Sequence, residues 1–323
     1  MSHKVSTIGV LTSGGDAPGM NATIRAVVRT GIARGLKVMG IQKGYNGLLQ
    51  GDVRELNARS VSDIVQRGGT ILQTARCLEF IKPEGQARGA EMCKVFGIDG
   101  LVVIGGDGSF QGAEKLANLG INAIGVPGTI DLDISCTDYT IGFDTAVNTA
   151  MDAINKIRDT STSHERCSIV EVMGRNAGYI ALWCGISSGA EMILIPEKKR
   201  PTDEEIIKTI VENKHKGKKH FLIIVAEGIG GSYQLAKKIE ETTGIETRAT
   251  ILGHLQRGGS PTAVDRIHAS MMGAKAVDLL CEGKQKRVVA YKQGQYVDYD
   301  INEALKMKKN IDDYMYEVSQ LLI

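Results

Sequence analysis

The residues best suited to chemistry lie in two short polar runs that each follow an apolar stretch. The first run, Gly105 to Ser109, reads GGDGS, and the second, Gly128 to Asp133, reads GTIDLD. Glycine lets backbone N–H groups close around a phosphate, and aspartate supplies an oxygen ligand for Mg²⁺ or a proton acceptor. The two runs therefore indicate chemistry on a phosphoryl group.

Each acidic run also has an ordinary structural interpretation. Asp107 could cap a helix, a role worth about 1 kcal/mol, although three glycines are more than a cap needs. Asp131 and Asp133 have i, i+2 spacing, so in extended backbone they would point the same way, with Leu132 pointing into packing. One could then accept a proton from an attacking hydroxyl while the other orients that hydroxyl or a metal-bound water. The alternative is a polar turn with Asx hydrogen bonds.

A third glycine run, Thr12 to Asn21 (TSGGDAPGMN), joins the first apolar stretch to the first helical pattern. Successive glycines before a helix N-terminus make an anion site from N–H groups and the helix dipole. A tight, capped turn fits equally well, because neither common nucleotide-binding glycine spacing is present.

Several basic residues lie next to glycines or at strand ends. Each arginine alone is typical of a solvated surface charge, and His254 could be a buried structural histidine. Together they fit bidentate phosphate recognition. The set comprises Arg76, Arg166, Arg175, Arg248, His254 and Arg257. The run Lys214 to His220 (KHKGKKH) is typical of a solvated loop.

Composition indicates an ordinary globular protein. The chain has 323 residues, 42% of them hydrophobic, and a formal net charge of +2, which implies no bulk attraction to nucleic acid or membranes. Its six cysteines are scattered, as expected of reduced thiols. No apolar run approaches the ~20 residues of a membrane span, and no signal-peptide pattern is present. We therefore expect a cytoplasmic protein.

Short β-branched runs alternate with helical patterns along the chain. Helices are indicated from Met20 and across residues 142–158, and the alternation predicts βαβ units with a mainly parallel sheet. Such sheets bind ligands at the carboxyl ends of their strands, where the glycine runs fall. The predicted strands are Val5–Leu11, Lys37–Ile41, Leu101–Ile104, Ile121–Val126, Cys167–Val172, Met192–Ile195, Phe221–Ala226 and Thr247–Leu252. No linker marks a domain boundary, although a hinge is plausible near residue 142.

Five strings in fixed order identify a family resemblance over essentially the full length. The chain resembles the bacterial ATP-dependent 6-phosphofructokinases. The strings are Leu11 to Asn21, Gly105 to Ser109, Gly128 to Asp131, Val172 to Arg175 and Gly253 to Gly259. The resemblance implies an α/β fold of two Rossmann-like three-layer domains with mainly parallel sheets and the active site in the cleft between them. It assigns residues 1–142 plus about 256–306 to a larger ATP-binding domain. Residues 143–255 plus about 307–323 form a smaller sugar-phosphate-binding domain.

The resemblance also implies the activity and its residues. The γ-phosphoryl group of Mg·ATP would pass to the 1-hydroxyl of fructose 6-phosphate, with Asp131 as general base and Asp107 as Mg²⁺ ligand, supported by Asp133. Residues implied to stabilise the transferring phosphoryl group are Gly15, Arg76, Thr129 and Arg175. Residues implied to hold ATP are Gly15, Arg76, Cys77, Gly106, Asp107, Gly108 and Ser109. Residues implied to hold the sugar phosphate are Thr129, Asp131, Asp133, Met173, Gly174, Arg175, Glu227, His254 and Arg257, with Arg166 and Arg248 reaching in from a neighbouring subunit.

Members of this family are typically homotetramers that ADP activates and phosphoenolpyruvate inhibits at a second subunit interface. The resemblance therefore implies an effector site, and it gives part of the basic run at 214–220 an anion-binding role. Arg59 neighbours Ala58, which stands where an effector arginine is common. The matching positions are Arg25, Arg29, Arg59, Arg158, Glu191, Lys216, Lys218 and His220.

Leu132 departs from the family pattern, which usually reads Thr-Ile-Asp-Asn-Asp. Asn could hydrogen-bond and hold the loop, whereas Leu cannot, so we expect lowered or retuned activity. Gly108 and Gly128 resemble the ATP-using branch, since pyrophosphate-dependent relatives usually carry Asp and Lys there. The alternatives are a pyrophosphate-dependent or other phosphosugar kinase, or a weakened regulatory paralogue.

Overall fold

The computed structural model describes residues 5–322. Residues 1–4 and 323, which the expected domains include, lie outside the described residues. Contacts divide the chain into two compact units. The first unit comprises residues up to Ile130, Ile134–Thr145 and Arg257–Lys309, and the second comprises Asp131–Asp133, Ala146–Gln256 and the residues from Asn310 onward.

The strands are β1 (Thr7–Thr12), β2 (Lys37–Ile41), β3 (Val53–Leu56), β4 (Gly100–Gly105), β5 (Asn122–Pro127), β6 (Cys167–Val172), β7 (Met192–Leu194), β8 (Phe221–Ala226), β9 (Thr247–Ile251), β10 (Arg287–Lys292) and β11 (Gln295–Asp300). The α-helices are α1 (Met20–Ala33), α2 (Gly44–Gln50), α3 (Pro83–Val95), α4 (Asp107–Asn118), α5 (Phe143–His164), α6 (Tyr179–Ser188), α7 (Asp203–His215), α8 (Ser232–Thr243), α9 (Ala263–Cys281), α10 (Ile301–Lys306) and α11 (Asp313–Leu321). Short 3₁₀ helices cover Glu79–Ile81 and Gly253–Arg257.

The first unit contains a seven-stranded sheet with the order β11-β10-β5-β4-β1-β2-β3. Its pairs are parallel except at the two edges, where β10 pairs with β11 and β2 with β3 in antiparallel fashion. Because β1, β4 and β5 are adjacent and parallel, their carboxyl ends meet at one edge of the sheet. The three glycine runs of the sequence follow these three strands.

Helices cover both faces of this sheet. On one face, Leu11 and Val103 of the sheet join a buried cluster with Tyr45 of α2 and Phe110 of α4. On the other, α1 lies so close that a Cβ at Gly31 would be 3.2 Å from Ile8 Cδ1 of β1. Ile8 and Leu11 are at positions i and i+3 of the same strand, so their side chains point to opposite faces. The unit therefore has three layers, helix, sheet and helix.

The second unit contains a four-stranded sheet with the order β7-β8-β6-β9, and all of its pairs are parallel. Its central strands are buried and rich in β-branched residues, as expected of strands covered on both faces. Helix α7 begins with a capping box, in which Thr202 and Glu205 exchange hydrogen bonds. Helix α6 carries the only tryptophan of the chain, Trp183, which is 40% exposed.

The predicted α/β class with mainly parallel sheets is confirmed, and the predicted strands correspond to β1, β2 and β4–β9. Strands β3, β10 and β11 are not predicted by the sequence analysis. The second predicted helix runs further than expected, to His164. Within residues 5–322, no helix has both the length and the apolar character needed to cross a membrane.

Candidate active site

The turn between β1 and α1 is held against its neighbours by backbone contacts. The Ser13 N–H donates to the Ile104 carbonyl of β4 at 2.9 Å, and the Thr74 hydroxyl donates to the Gly14 carbonyl at 2.7 Å. Gly14 and Gly19 have φ of 87° and 107°, which favour glycine. Gly19 occupies the position before α1, with no side-chain cap.

Arg257 lies directly against this turn. Its Nη1 donates to the Asp16 carbonyl at 2.9 Å, and a Cβ at Gly15 would be 2.6 Å from the same atom. Only glycine at position 15 therefore leaves the guanidinium group where it is. The sequence analysis groups Arg257 with the sugar-phosphate residues, and within the first unit its guanidinium group lies at the first glycine turn.

The segment that contains Arg76 and Cys77 runs beside the same turn, because the Thr74 hydroxyl anchors it to Gly14. Arg76 is exposed, and Cys77 is half-buried against the core of the first unit. The structure thus brings Gly15, Arg76, Cys77 and Arg257 to one part of the first unit.

The turn between β4 and α4 combines tight packing with open space. A Cβ at Gly105 would be 2.5 Å from the Ser13 carbonyl oxygen, so this glycine is required by its neighbours. A Cβ at Gly106 or Gly108 would have no protein atom within 4 Å. Protein packing explains Gly105 but not Gly106 or Gly108, and this leaves the backbone of the turn accessible to a ligand.

Asp107 is the first residue of α4 and is exposed. Gly106 occupies the cap position, with no side-chain hydrogen bond, so the capping interpretation of Asp107 is wrong. Ser109 is buried, and its carbonyl oxygen accepts a 2.6 Å hydrogen bond from the Tyr45 hydroxyl. An exposed carboxylate in the first turn of a helix, beside open glycines, can take part in binding a hydrated cation with its phosphate.

The third glycine run follows β5 and opens what we call the acidic loop, residues 129–140. Gly128 N–H donates to the Gly105 carbonyl at 2.9 Å, so the third turn is hydrogen-bonded to the second. Gly128 also bridges to Ile141 at the end of the loop. Asp131 is 6% exposed, and Thr129 and Asp133 are half-buried.

The expected extended backbone between Asp131 and Asp133 is wrong. Leu132 has a φ of 57°, in the left-handed region, and its side chain is 5% exposed. A left-handed residue turns the chain, so the alternation of side chains that i, i+2 spacing assumes does not hold here. The conformation costs a residue other than glycine roughly 1–2 kcal/mol, and Asn tolerates it better than Leu. The backbone conformation therefore gives a physical reason for the Asn usual in the family.

In the second unit, a compact hydrogen-bonded group follows the carboxyl end of β6. The Arg175 N–H donates to Glu227 Oε1 at 2.7 Å, and the Glu227 N–H donates to the Val172 carbonyl at 2.9 Å. Gly174 has a φ of 141° and Arg175 one of 56°, so both residues adopt conformations that side chains disfavour. The structure thereby brings Met173, Gly174, Arg175 and Glu227 together.

Gln256 belongs to this group and is missed by the sequence analysis. It is fully buried, and its Oε1 accepts a 2.8 Å hydrogen bond from the Met173 N–H. The contact ties the turn after β6 to the 3₁₀ helix that carries His254, which is exposed. The one sequence signal available was its place between His254 and Arg257.

Arg166 and Arg248 lie at the other edge of the same sheet. Both pair with Glu246, Arg166 through Nε at 2.6 Å and Arg248 through Nη2 at 2.6 Å. The hydrogen bond from Arg166 is the main reason that the pKa of Glu246 is lowered. Since β6 has six residues, Arg166 is roughly 20 Å from Met173 at about 3.3 Å per residue. One copy of the chain does not bring these arginines to the turn after β6.

The positions matched to an effector site fall in both units. In the second unit, Glu191 is 4% exposed, pairs with Lys218 Nζ at 2.5 Å and accepts the Leu222 N–H. Arg158 donates to the Ser188 carbonyl. Lys216 is exposed, and His220 is half-buried.

The remaining three effector positions, all in the first unit, are Arg25, Arg29 and Arg59. Arg25 and Arg29 lie one turn apart on α1, as their spacing predicts, and Arg29 Nη2 donates to the Ala58 carbonyl at 3.3 Å. Arg59 is next along the chain, and its N–H donates to the Asn57 side chain. A link between Arg29 and the Ala58–Arg59 segment is therefore built into the first unit.

Among residues 5–322, no group of three or more His, Cys, Asp or Glu side chains is arranged to hold a metal ion. Mg²⁺ bound together with substrate phosphates usually takes only one or two carboxylates from the protein.

Comparison with known proteins places these features in a family. The profile of the family described as phosphofructokinase matches residues 7–280. The ATP-dependent 6-phosphofructokinase of Clostridium botulinum (strain Loch Maree / Type A3) is 63% identical over 316 residues, covering 98% of this chain and 99% of the relative. The enzyme of the same name from Clostridium novyi (strain NT) is 62% identical over 318 residues, covering 98% and 99%.

Solved structures agree. Pichia pastoris phosphofructokinase in the T-state is 35% identical, with a TM-score of 0.88. The match covers 100% of this chain and 39% of the Pichia chain, so this chain spans less than half of the Pichia chain. A pyrophosphate-dependent phosphofructokinase from Marinobacter aquaeolei, 23% identical with a TM-score of 0.85, shares the fold over 96% of this chain and 86% of that one. The glycine turns, the Met173–Arg175 group and these matches together establish that the chain belongs to the phosphofructokinase family.

Proposed function

We propose that the chain is an ATP-dependent 6-phosphofructokinase of glycolysis. It transfers the γ-phosphoryl group of ATP to the 1-hydroxyl of fructose 6-phosphate, giving fructose 1,6-bisphosphate and ADP. The observation that carries the proposal is the meeting of three glycine turns at the carboxyl ends of β1, β4 and β5, linked by the Ser13 and Gly128 backbone hydrogen bonds. N–H groups on such an edge are suited to binding phosphate oxygens.

The nucleotide binds at the turn between β4 and α4. Gly106 and Gly108 have open space where a side chain would lie, so a phosphate can approach the backbone closely. Ser109, Cys77 and Arg76 complete the nucleotide-binding set. As the family resemblance implies, Gly15, Arg76, Thr129 and Arg175 would stabilise the charge that spreads over the equatorial oxygens of the transferring group.

The donor set at this turn fits Mg²⁺. Asp107 is an exposed carboxylate beside open glycines, and Mg²⁺ usually takes one or two carboxylates together with substrate phosphates. Asp107 would hold the ion, with Asp133 in support. When bound, the ion neutralises charge on the phosphate oxygens.

Asp131 is the general base. Its place in the acidic loop, which starts at the end of β5, suits a group that takes the proton from the attacking hydroxyl. Burial of the residue, at 6% exposed, limits hydration of a reacting carboxylate. Asp133 and Thr129 contact the substrate beside it.

The sugar phosphate binds at Met173, Gly174, Arg175, Glu227, His254 and Arg257. Arg166 and Arg248 serve the site of a neighbouring subunit, since in their own chain they lie at the opposite edge of the sheet from Met173. Activity therefore requires an oligomer, which we propose is a homotetramer. The eight effector positions named above bind ADP or phosphoenolpyruvate. Six free thiols agree with a cytoplasmic location.

A coupled assay tests the proposal. Purified protein with fructose 6-phosphate and Mg²⁺ should form fructose 1,6-bisphosphate with ATP and not with pyrophosphate, and a chelator should abolish turnover. Turnover with pyrophosphate alone would favour the pyrophosphate-dependent alternative. Nucleotide binding without turnover on either donor would favour a regulatory paralogue weakened at Leu132.

A further inference from the structure

A buried carboxylate in the first unit has no role in the reaction proposed above. Asp265, on the first turn of α9, has an exposed fraction of 0%. Burial raises its pKa, and the hydrogen bonds it accepts lower that pKa in part. A carboxylate buried this completely is stable only when its oxygens are well satisfied.

Both oxygens of Asp265 accept two hydrogen bonds each. Oδ1 accepts from the Tyr139 hydroxyl at 2.6 Å and from the Gly142 N–H at 2.6 Å. Oδ2 accepts from the Thr145 N–H at 2.8 Å and from the Thr145 hydroxyl at 2.5 Å. Two of these donors are main-chain groups, so the carboxylate fixes backbone as well as side chains.

The backbone held in this way is the end of the acidic loop. The loop is closed at its base, where Gly128 bridges to Ile141 and the Ile141 N–H donates to the Pro127 carbonyl at 3.0 Å. Gly142 is the next residue, and Thr145 lies in the first turn of α5. Asp265 therefore sets the position at which the segment carrying Thr129 and Asp131 leaves the sheet edge and enters α5.

The loop end has no room to move independently of the first glycine turn. A Cβ at Gly142 would be 2.7 Å from Ala17 Cβ, and one at Gly19 would be 2.6 Å from Ile141 Cγ2. The two segments are thus in van der Waals contact through glycines. Gly142 is therefore held both by Asp265 and by its packing against the first glycine turn.

Aromatic packing fixes the side-chain donor. The Tyr139 ring stacks on His268, with 4.0 Å between centroids, and Tyr291 and Tyr296 pack against the same histidine at 4.5 and 5.8 Å. The Tyr296 hydroxyl and His268 Nδ1 are 3.0 Å apart. Tyr139 is therefore presented to Asp265 by a rigid cluster.

We propose that Asp265 is a positioning residue for phosphoryl transfer, acting through Gly142 and Thr145 to hold the acidic loop in its reactive placement. The inference rests on the proposed function, because the placement matters only if Asp131 is the base. Misplacing a reacting group by about 1 Å can reduce a rate by roughly 100-fold. The four hydrogen bonds that Asp265 accepts come from Tyr139, Gly142 and Thr145, none of which lies in the β4–α4 turn, so ATP binding at that turn should be spared.

The variant Asp265→Asn tests this. Asn offers one acceptor oxygen, so in either orientation its NH₂ group faces the N–H of Gly142 or of Thr145. Asp278→Asn is the matched control, since Asp278 lies on the same helix and forms a surface pair with Arg34 at 2.8 Å. We expect Asp265→Asn to lower kcat at least tenfold and to change KM for ATP less than twofold. The control should stay within twofold of wild type in both.

Calorimetric titration with ADP separates positioning from folding. A positioning role leaves the number of nucleotide sites per mole of total chain at the wild-type value while kcat falls. A purely structural role lowers the number of sites and kcat in parallel, and that result would overturn the proposal, as would a kcat equal to that of Asp278→Asn.

Thr145→Val decides the question if Asp265→Asn does not fold. It removes the hydroxyl that donates to Asp265 and accepts the Thr262 N–H at 3.0 Å, and it keeps the Thr145 N–H, so we expect kcat two- to fivefold lower with all nucleotide sites intact. A kcat equal to the control would contradict the proposal. The wild-type protein is assayed first. Absence of turnover there would contradict the proposed function and not the role of Asp265.

Discussion

The central strands of the seven-stranded sheet have their carboxyl ends on one side and their amino ends on the other, and we call these sides the carboxyl edge and the amino edge. The two differ in how their polar residues are arranged. At the carboxyl edge, Gly106 and Gly108 face open space, Asp107 is exposed, and the acidic loop contains a left-handed Leu132. At the amino edge, carboxylates accept hydrogen bonds from neighbouring groups. Asp99 accepts hydrogen bonds from the N–H groups of Ser6 and Thr7 at 2.9 and 3.0 Å.

Glu114 gives the clearest example at the amino edge. It is 8% exposed, pairs with Lys115 and Lys286 at 3.0 and 3.1 Å, and accepts from Asn118 Nδ2 at 2.6 Å. The carboxyl edge therefore presents open glycines and an exposed carboxylate, while the amino edge holds a buried carboxylate between two lysines and an amide. Changes at the carboxyl edge should affect turnover, and changes at the amino edge should affect stability.

The largest expected effect is at Asp131. Asp131→Ser removes the proposed base, and general-base catalysis contributes roughly 10²–10⁴-fold, so kcat should fall by about 10³ with little change in either KM. Steady-state kinetics and thermal unfolding measure the two effects. A near-normal kcat would contradict the assignment of the base. A large decrease in Tm would contradict the expectation that changes at the carboxyl edge affect turnover and not stability.

A pair of neighbouring glycines sharpens the comparison within the carboxyl edge. Gly106→Ala meets no protein atom within 4 Å, so Tm should be unchanged while KM for ATP rises about tenfold, because the methyl group occupies ligand space. Gly105→Ala would place a Cβ 2.5 Å from the Ser13 carbonyl oxygen and should cost about 1–3 kcal/mol of stability. Equal KM values for Gly106→Ala and wild type would place the nucleotide elsewhere.

At the amino edge we expect a pH-dependent stability effect. Burial raises the pKa of Glu114, but hydrogen bonds from Lys115, Lys286 and Asn118 outweigh it and lower the pKa from 4.5 to about 2. A lowered folded-state pKa stabilises the protein above pH ~4.5, and this stabilisation is lost as the pH falls toward 2. Glu114→Gln should reduce the unfolding free energy by about 1–3 kcal/mol at pH 7, with kcat unchanged.

The control for this variant is Glu55→Gln, whose pair with Lys37 is more than half exposed on both side chains and should contribute below ~1 kcal/mol. Chemical denaturation at pH 7 and at pH 3 measures both variants. If Glu114→Gln and Glu55→Gln behave alike at pH 7, the amino edge does not depend on this cluster.

The smallest expected stability effect is at Leu132, where two terms oppose each other. Burial of the leucine side chain contributes about 1.5–3 kcal/mol, and its left-handed backbone costs roughly 1–2 kcal/mol. Leu132→Asn should therefore change the unfolding free energy by less than ~1 kcal/mol, while kcat rises a few-fold as the loop gains a hydrogen-bonding side chain. Unchanged kcat and KM would show that Leu132 does not limit activity.

Much of the fold could be predicted because its central strands are continuous β-branched runs. Lys37–Ile41, Cys167–Val172 and Phe221–Ala226 begin and end where the sequence predicts. Strand β11 (QYVDYD) is not predicted by the sequence analysis, because it is an outer strand with polar residues on both faces. Its partner β10 joins the sheet beside β5 through pairing across roughly 160 residues, which local pattern cannot reveal.

The candidate site divides in the same way. The glycine runs can be recognised in the sequence because several glycines stand close together, and the family resemblance assigns their roles. Asp265 and Gln256 cannot be recognised in this way. Each is a single polar residue whose role depends on backbone N–H groups that folding brings to it. The left-handed turn at Leu132 was also hidden, since spacing arguments assume a regular backbone.

Trp183 gives the molecule an optical property. As the only tryptophan, on α6 in the second unit, it is the one side chain that 295 nm light excites selectively. Its emission reports on the unit that contains the sheet carrying Met173 and Glu227. Binding events in the second unit can therefore be followed in the unmodified protein, without attached dyes.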